Sequence, residues 1–206
     1  MPQIEMQHVT KYFTNEQRRF TAIDDVSLSI DRGEFVFLIG SSGAGKTTLL
    51  RLLANQIVAD EGKIWLDDVE LTRLRGWRRP VYRRNIGQVW QDASLIRKKT
   101  VRQNLELVQR ALGVKSKVIP ENTRKALSIV GMRAMEDRYP FELSGGQVKM
   151  VELARAIICN PPILIVDEIT ANLDYDTGWD IMNILNEINR CGTTVIMATH
   201  AKGLIC

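Results

Sequence analysis

The stretch "EFVFLIGSSGAGKTTLLRLLA", residues 34–54, decides the fold class. Its apolar run predicts a strand buried at the centre of a sheet, and "KTTLLRLLA" predicts a helix. Between them lies the pattern G-x-x-x-x-G-K-[ST], in the strand, loop and helix context that makes it a phosphate-binding loop. Glycines at 40, 43 and 45 let the backbone wrap closely, so that its N–H groups face an anion at the positive end of the helix dipole. The loop comprises Gly40, Ser41, Ser42, Gly43, Ala44 and Gly45, continued by Lys46, Thr47 and Thr48. Lys46 can reach the outer phosphates, and the Thr47 hydroxyl can ligate Mg²⁺.

Outward from this unit, strand and helix patterns alternate. "QIEMQHV" (3–9) and "AIDDVSLSI" (22–30) alternate in the manner of strands, as do "GKIWL" and "NIGQVW" further on. From Val101 the period becomes helical, with Val101, Leu105, Val108 and Leu112 on one face. Pro120 with Glu121 and Asn122 predicts a second helix start. After residues 143–147 a helix carries Val148, Val151, Ala154 and Ile158 inward until "NPP" stops it. "ILIV" predicts another buried strand. The next helix turns Ile181, Ile184, Leu185 and Ile188 inward, Gly192 ends it, and "TTVIMATH" is a last strand tipped by His200. The expected organisation is one discontinuous core, 1–91 and 143–206, with a helical insert over 92–142.

A chain of 206 residues, 45% hydrophobic and 25% charged, can bury one sizeable core, and nothing in it reads as disordered. Its longest apolar runs are far too short to cross a bilayer, so a cytoplasmic protein is expected. Cys159, Cys191 and Cys206 have no paired or metal-ligand spacing, and two histidines do not make a zinc site. The net charge of +4 is mild but uneven: "RLRGWRRPVYRR", residues 73–84, holds six arginines. That segment is either a solvated face or a docking surface for an acidic partner or anionic lipid heads. It lacks the interleaved aromatics of a nucleic-acid platform.

Asp167 and Glu168 end the strand "ILIV", at the sheet edge where open α/β folds bind ligands. Asp167 suits the Mg²⁺ shell, and Glu168 suits a general base that polarises the attacking water. "LSGGQ", residues 143–147, is a second glycine pair at a helix start, behind a serine suited to capping. It is a second site for an anion in a chain that already has one.

At these residues the chain resembles the ATP-binding subunits of ABC transporters, from "HVTKYF" to "MATH". The resemblance implies an α/β fold: a P-loop NTPase core with an N-terminal antiparallel β part and a helical subdomain. It implies ATP and Mg²⁺ as ligands, and a homodimer in the ATP-bound state. In such a dimer Ser144, Gly145, Gly146 and Gln147 cap the γ-phosphate held by the partner's loop. Gln91 would sense Mg²⁺ and the attacking water, and His200 would contact the γ-phosphate. Asn172, Leu173 and Asp174 would lie in the loop that speaks across the dimer. Phe13, or else the adjacent Tyr12, would stack on adenine.

Within the family, "GKIWLDDVELTRLRG", "RRNIGQVWQDASLI", "TVRQNL" and "ITANLD" are similar to the cell-division branch. The resemblance then implies an integral membrane partner of four spans, a peripheral position on the inner face of the plasma membrane, and an indirect link to peptidoglycan hydrolases. The partner's cytoplasmic helices would meet the arginine segment and the surface around Gln91. Exporters of lipoprotein-releasing or macrolide type share the "NLD" wording, and a nucleotide-gated module with negligible turnover is the alternative of another class. The chain departs from the family at Ile169, where proline is usual, at 148–150, where Val-Lys-Met replaces a polar stretch, and at Ala201, where aspartate is common. Ile169 is expected to loosen the turn that sets Glu168. Relatives continue beyond the point where this chain ends, so a less covered apolar surface and modest stability are expected.

Overall fold

The computed structural model describes residues 2–15, 18–74, 76–92, 95–171 and 173–200. Among the described residues, eight strands and six α-helices form two sheets with helices between and beside them. The first sheet is antiparallel. Its strands are β1 (Ile4–Asn15), β2 (Arg18–Ile30), β4 (Glu61–Leu66) and β5 (Val69–Glu70), in the order β2-β1-β4-β5. The second is parallel and contains β3 (Phe35–Ile39), β6 (Ile86–Val89), β7 (Ile163–Asp167) and β8 (Thr194–Thr199), in the order β3-β8-β7-β6.

The helices are α1 (Lys46–Leu53), α2 (Arg79–Arg83), α3 (Val101–Ala111), α4 (Ile119–Ile129), α5 (Gly145–Ile157) and α6 (Tyr175–Arg190). Strand alternation divides the parallel sheet between two cores. Leu164, Val166, Val195 and Met197 face a cluster built with α3 to α6. Ile163, Ile165, Ile196 and Ala198 face the other cluster, with Leu50 and Leu53 of α1 and Ile4, Met6 and Ile64 of the antiparallel sheet. All five residues of β7 are buried because both its faces are covered.

The sequence placed the central buried strand at "FVFLI", and this is corrected. Among the described residues β3 is an edge strand paired with β8 alone, its residues half-buried and Ile39 exposed. The centre belongs to β7 and β8. An apolar run reports two covered faces and says nothing about neighbours along the hydrogen-bonding direction. The arginine segment holds α2, which has Pro80 in its first turn, and both Val81 within the helix and Trp77 ahead of it are exposed. Ala201, Asn172 and Cys206 lie outside the described residues.

Strand register lines up the ends that matter. Ile39 pairs with Thr199, Asp167 with Ala198, and Val89 with Val166. The strands are parallel, so the phosphate loop after β3, the acids at the end of β7, His200 after β8 and Gln91 after β6 all emerge at one carboxyl edge.

Candidate functional site

The loop before α1 is shaped by contacts that only glycine permits. Gly43 and Gly45 have φ of +78° and +88°, and a Cβ on Gly45 would lie 2.5 Å from the Ala22 carbonyl oxygen on β2. The antiparallel sheet thus presses directly on the loop. The helix begins with no side-chain cap, so its first N–H groups are left for the loop's ligand.

Lys46 curls back along the loop and donates to the carbonyls of Gly40 (2.9 Å) and Ser41 (3.0 Å). Its third donor points toward Glu168 Oε1, 3.9 Å away. His200 Nε2 lies 2.6 Å from the same Glu168 oxygen and 3.1 Å from Lys46 Nζ. One ring nitrogen cannot donate to the acid and accept from the ammonium together; the shorter contact, to a carboxylate, takes the N–H. Glu168 is held between the two basic groups. Its backbone has φ +49°, a conformation costing about 1–3 kcal/mol for a non-glycine residue. The turn is nonetheless closed on both sides: Glu168 N donates to Ala198 O and Ala171 N donates to Glu168 O, each at 3.0 Å. Ile169 is fully buried in the helical-side core. An apolar anchor therefore holds this turn, and the looseness expected from the missing proline is not found.

Thr47 Oγ1 donates to Asp167 Oδ2 at 2.8 Å. Asp167 is 2% exposed, and its Oδ1 is buried with no hydrogen-bond partner. Burial pushes its pKa up, against the lowering effect of the Thr47 hydrogen bond. A dry carboxylate oxygen beside a hydroxyl is an oxygen donor pair suited to a hard divalent cation. Among the described residues no group of three His, Cys, Asp or Glu side chains could hold a metal by itself. Two protein oxygens, with the rest of the shell from water and phosphate, is how Mg²⁺ is ordinarily held at nucleotide sites. The residues present fit that ion.

The remaining candidates lie around this cluster without joining it. No hydrogen bond or ion pair among the described residues links Gln91, Ser144 or Asp174 to Lys46 or Glu168. The Gln91 side chain is exposed. Ser144 Oγ accepts from Gln147 N, and Gln147 Oε1 accepts from Ser144 N, a complete capping box at the head of α5. A Cβ on Gly145 would meet open space, whereas one on Gly146 would press on Thr177 of α6 at 2.9 Å. Asp174 uses both carboxylate oxygens on Thr177, capping α6, and the Thr177 backbone bond holds its carboxyl below the usual carboxylate range.

Tyr12 and Phe13 point to opposite faces of β1. Tyr12 is covered by the Arg19 guanidinium, 3.6 Å from its ring centre, and its hydroxyl donates to Glu61. Phe13 lies with Lys11 and with Phe20, its cross-strand partner, whose ring centre is 5.9 Å away. Phe20 is half exposed and was absent from the sequence reading. Only the hairpin register brings it beside Phe13. Lys149 was singled out as a departure, but its partners across the fold were not legible.

A family model described as ABC transporter matches residues 23–171. The cell division ATP-binding protein FtsE of Mycobacterium tuberculosis is 42% identical over 202 residues, covering 98% of this chain and 87% of that protein. That of Bacillus subtilis is 38% identical over the same length. The methionine import ATP-binding protein MetN 4 of Oceanobacillus iheyensis is 38% identical over 203 residues, 98% of this chain but 59% of that protein. Among solved structures, the dimeric post-hydrolysis state of the ATP-binding cassette MJ0796, bound to ADP and Pi, matches with a TM-score of 0.90 at 31% identity, covering 98% of this chain and 89% of that one. The chain belongs to the ABC transporter family of ATPases.

Proposed function

We propose that this chain is the ATP-hydrolysing subunit of a membrane complex, two copies closing on ATP to drive an FtsX-like integral membrane partner that regulates peptidoglycan hydrolysis in cell division. The observation that carries the hydrolytic part is the convergence of Lys46, Thr47, Asp167, Glu168 and His200 within a few ångströms of one loop. The loop amides and Lys46 hold the phosphates. Thr47 and Asp167 would hold Mg²⁺, which when bound would neutralise phosphate charge. Glu168 accepts the proton of the attacking water as general base. His200 orients that carboxylate through its 2.6 Å contact. Gln91 completes the water site from the end of β6, and Phe13 stacks on adenine from β1.

The open N-terminus of α5 supports a role in trans for 144–147. A Cβ on Gly145 would meet nothing within 4 Å, which leaves room there for a second molecule. A homodimer is further supported by the dimeric relative. The division role is supported by the FtsE relatives, and the arginine segment with exposed Trp77 offers a face for the partner's cytoplasmic helices and a peripheral seat on the membrane. The domain organisation, a core over 1–91 and 143–206 with a helical unit over 92–142, is retained as part of this reading. The MetN relatives support a second reading, in which the same ATPase serves an importer.

Purification of the Glu168→Gln form from native membranes with ATP, followed by mass spectrometry, tests the assignment. Recovery of a four-span membrane protein with division or wall-hydrolase factors is expected. Recovery of solute-transport subunits instead would keep the ATPase and overturn the division role.

A further inference from the structure

Lys149 stands near the start of α5, and each of its three donors has a partner. Its Nζ donates to the carbonyls of Trp90 (3.0 Å) and Gln91 (2.6 Å) and to Glu152 Oε2 (3.2 Å). The Lys149 side chain is 12% exposed and that of Glu152 is 1% exposed. Lysine heads ordinarily stay in water, and removing one is tolerated only when every donor is satisfied. Glu152 lies one turn along the same helix, so α5 supplies the countercharge itself. The two carbonyls come from elsewhere in the chain, from the point where it leaves β6.

That point is where the sheet stops holding the backbone. The pairing of β6 with β7 ends at Val89 opposite Val166. The next two peptide units are 90 and 91, and Lys149 takes both carbonyls. Close packing makes the reach possible: a Cβ on Gly87 would strike the Ala156 carbonyl at 2.7 Å, so β6 lies directly against α5. From Ala156 back to Lys149 the helix covers about 10 Å, as β6 does from Gly87 to Trp90. The two elements run antiparallel and in step.

We infer that Lys149 is a positioning residue for Gln91: it prolongs the fixed part of β6 by two peptide units and fastens them to α5, so that Gln91 and the signature turn at the head of α5 move as one body. The inference rests on the roles proposed above for Gln91 and for 144–147. Gln91 attends the nucleotide of its own copy and the signature turn that of the partner, so one rigid link joins the two sites of the dimer. A displacement of the signature turn as the partner's ATP is hydrolysed carries Gln91 with it.

Three full-length variants test this: Glu152→Gln, the double variant Lys149→Met with Glu152→Gln, and Lys149→Arg. Neutralising Glu152 in the double variant avoids leaving a buried carboxylate without its Lys149 partner. Glu152→Gln is expected to keep kcat within about twofold, while the double variant lowers it about tenfold or more with KM for ATP little changed, as loss of positioning does. Lys149→Arg, which keeps a cation able to donate to both carbonyls, should restore most of the rate. In the double variant, amide hydrogen exchange at 90–92 should rise while that at 153–157 stays at the wild-type value. Unchanged kcat and unchanged exchange at 90–92 would overturn the inference, and so would a rate loss that merely follows faster exchange along all of α5. A wild-type chain without turnover would sink the functional reading alone, and exchange at 90–92 would then decide this one.

Discussion

Two helices in this molecule start at glycine, α1 with Gly45 as its cap and α5 with Gly145 as its first residue, and their surroundings are opposite. At α1 the glycine is forced: Gly45 sits at φ +88° with a backbone carbonyl of β2 where its Cβ would be. The helix has no side-chain cap, and Lys46, Thr47, Asp167, Glu168 and His200 crowd round its start. At α5 a capping box of Ser144 and Gln147 closes the turn, a Cβ on Gly145 would meet open space, and no hydrogen bond or ion pair among the described residues brings Asp167 or Glu168 to it. The difference teaches that one terminus is closed in by its own subunit and the other is left open, as the role in trans proposed above requires. The first needs glycine so that its own chain can close in. The second, on the proposed role in trans, needs glycine so that a partner can.

The comparison can be broken most directly at the finished site. Glu168→Gln removes the proton acceptor and should lower hydrolysis about 10²- to 10⁴-fold while leaving ATP binding intact. Steady-state turnover beside equilibrium nucleotide binding measures both, and unchanged turnover would remove Glu168 from its role. Gly45→Ala comes next. Its Cβ meets Ala22 O at 2.5 Å in a left-handed conformation, so folding stability should fall by at least about 2 kcal/mol, with loss of ATP binding. Gly145→Ala, by contrast, should leave the melting temperature level or slightly raised, because alanine favours a helix by up to about 1 kcal/mol over glycine. Equal destabilisation by both would abolish the distinction between the two helix starts.

Ser144→Asp sharpens the other side. Aspartate caps a helix as well as serine does, so the monomer should melt within about 0.5 kcal/mol of wild type. Its charge would face the partner's phosphates, and ATP-dependent dimers should vanish on size-exclusion chromatography. Dimers that persist would refute a role in trans for the signature turn. The smallest effect concerns stability at Asp167. Burial raises its pKa, so the folded state disfavours the ionised form. That cost is absent at pH below the unfolded pKa and grows as pH rises through the raised folded value. Asp167→Asn should therefore raise the melting temperature at neutral pH while removing Mg²⁺-dependent turnover. A melting temperature that falls would show the carboxylate to be compensated by groups other than Thr47.

Much of this was legible in particular residues. The loop at 40–48 announces itself because phosphate wrapping demands glycine at fixed intervals, and the strand and helix beside it leave one reading. The acids after "ILIV" were readable because a run of apolar residues ending in two carboxylates has few structural uses. The sequence erred at "FVFLI": hydrophobicity along a strand measures coverage of its faces, and β3 proves to be an edge. It also could not choose between Tyr12 and Phe13, since adjacent residues on a strand differ only in the face they occupy. The hairpin register shows which face each aromatic takes, pairing Phe13 with Phe20 and leaving Tyr12 under Arg19.

The sequence by itself determined the elements, the phosphate loop, the acidic pair, the signature turn and the family they belong to, because each is a local pattern whose chemistry depends on residue type and spacing. Tertiary structure alone decided which of them meet. Lys46 and Glu168 are brought together by parallel strands whose carboxyl ends share one edge. Lys149 finds the carbonyls of Trp90 and Gln91 because Gly87 lets β6 lie against α5. Such contacts join residues far apart in the chain, and strand order, register and the packing of one element on another carry no signature in the residues that finally touch.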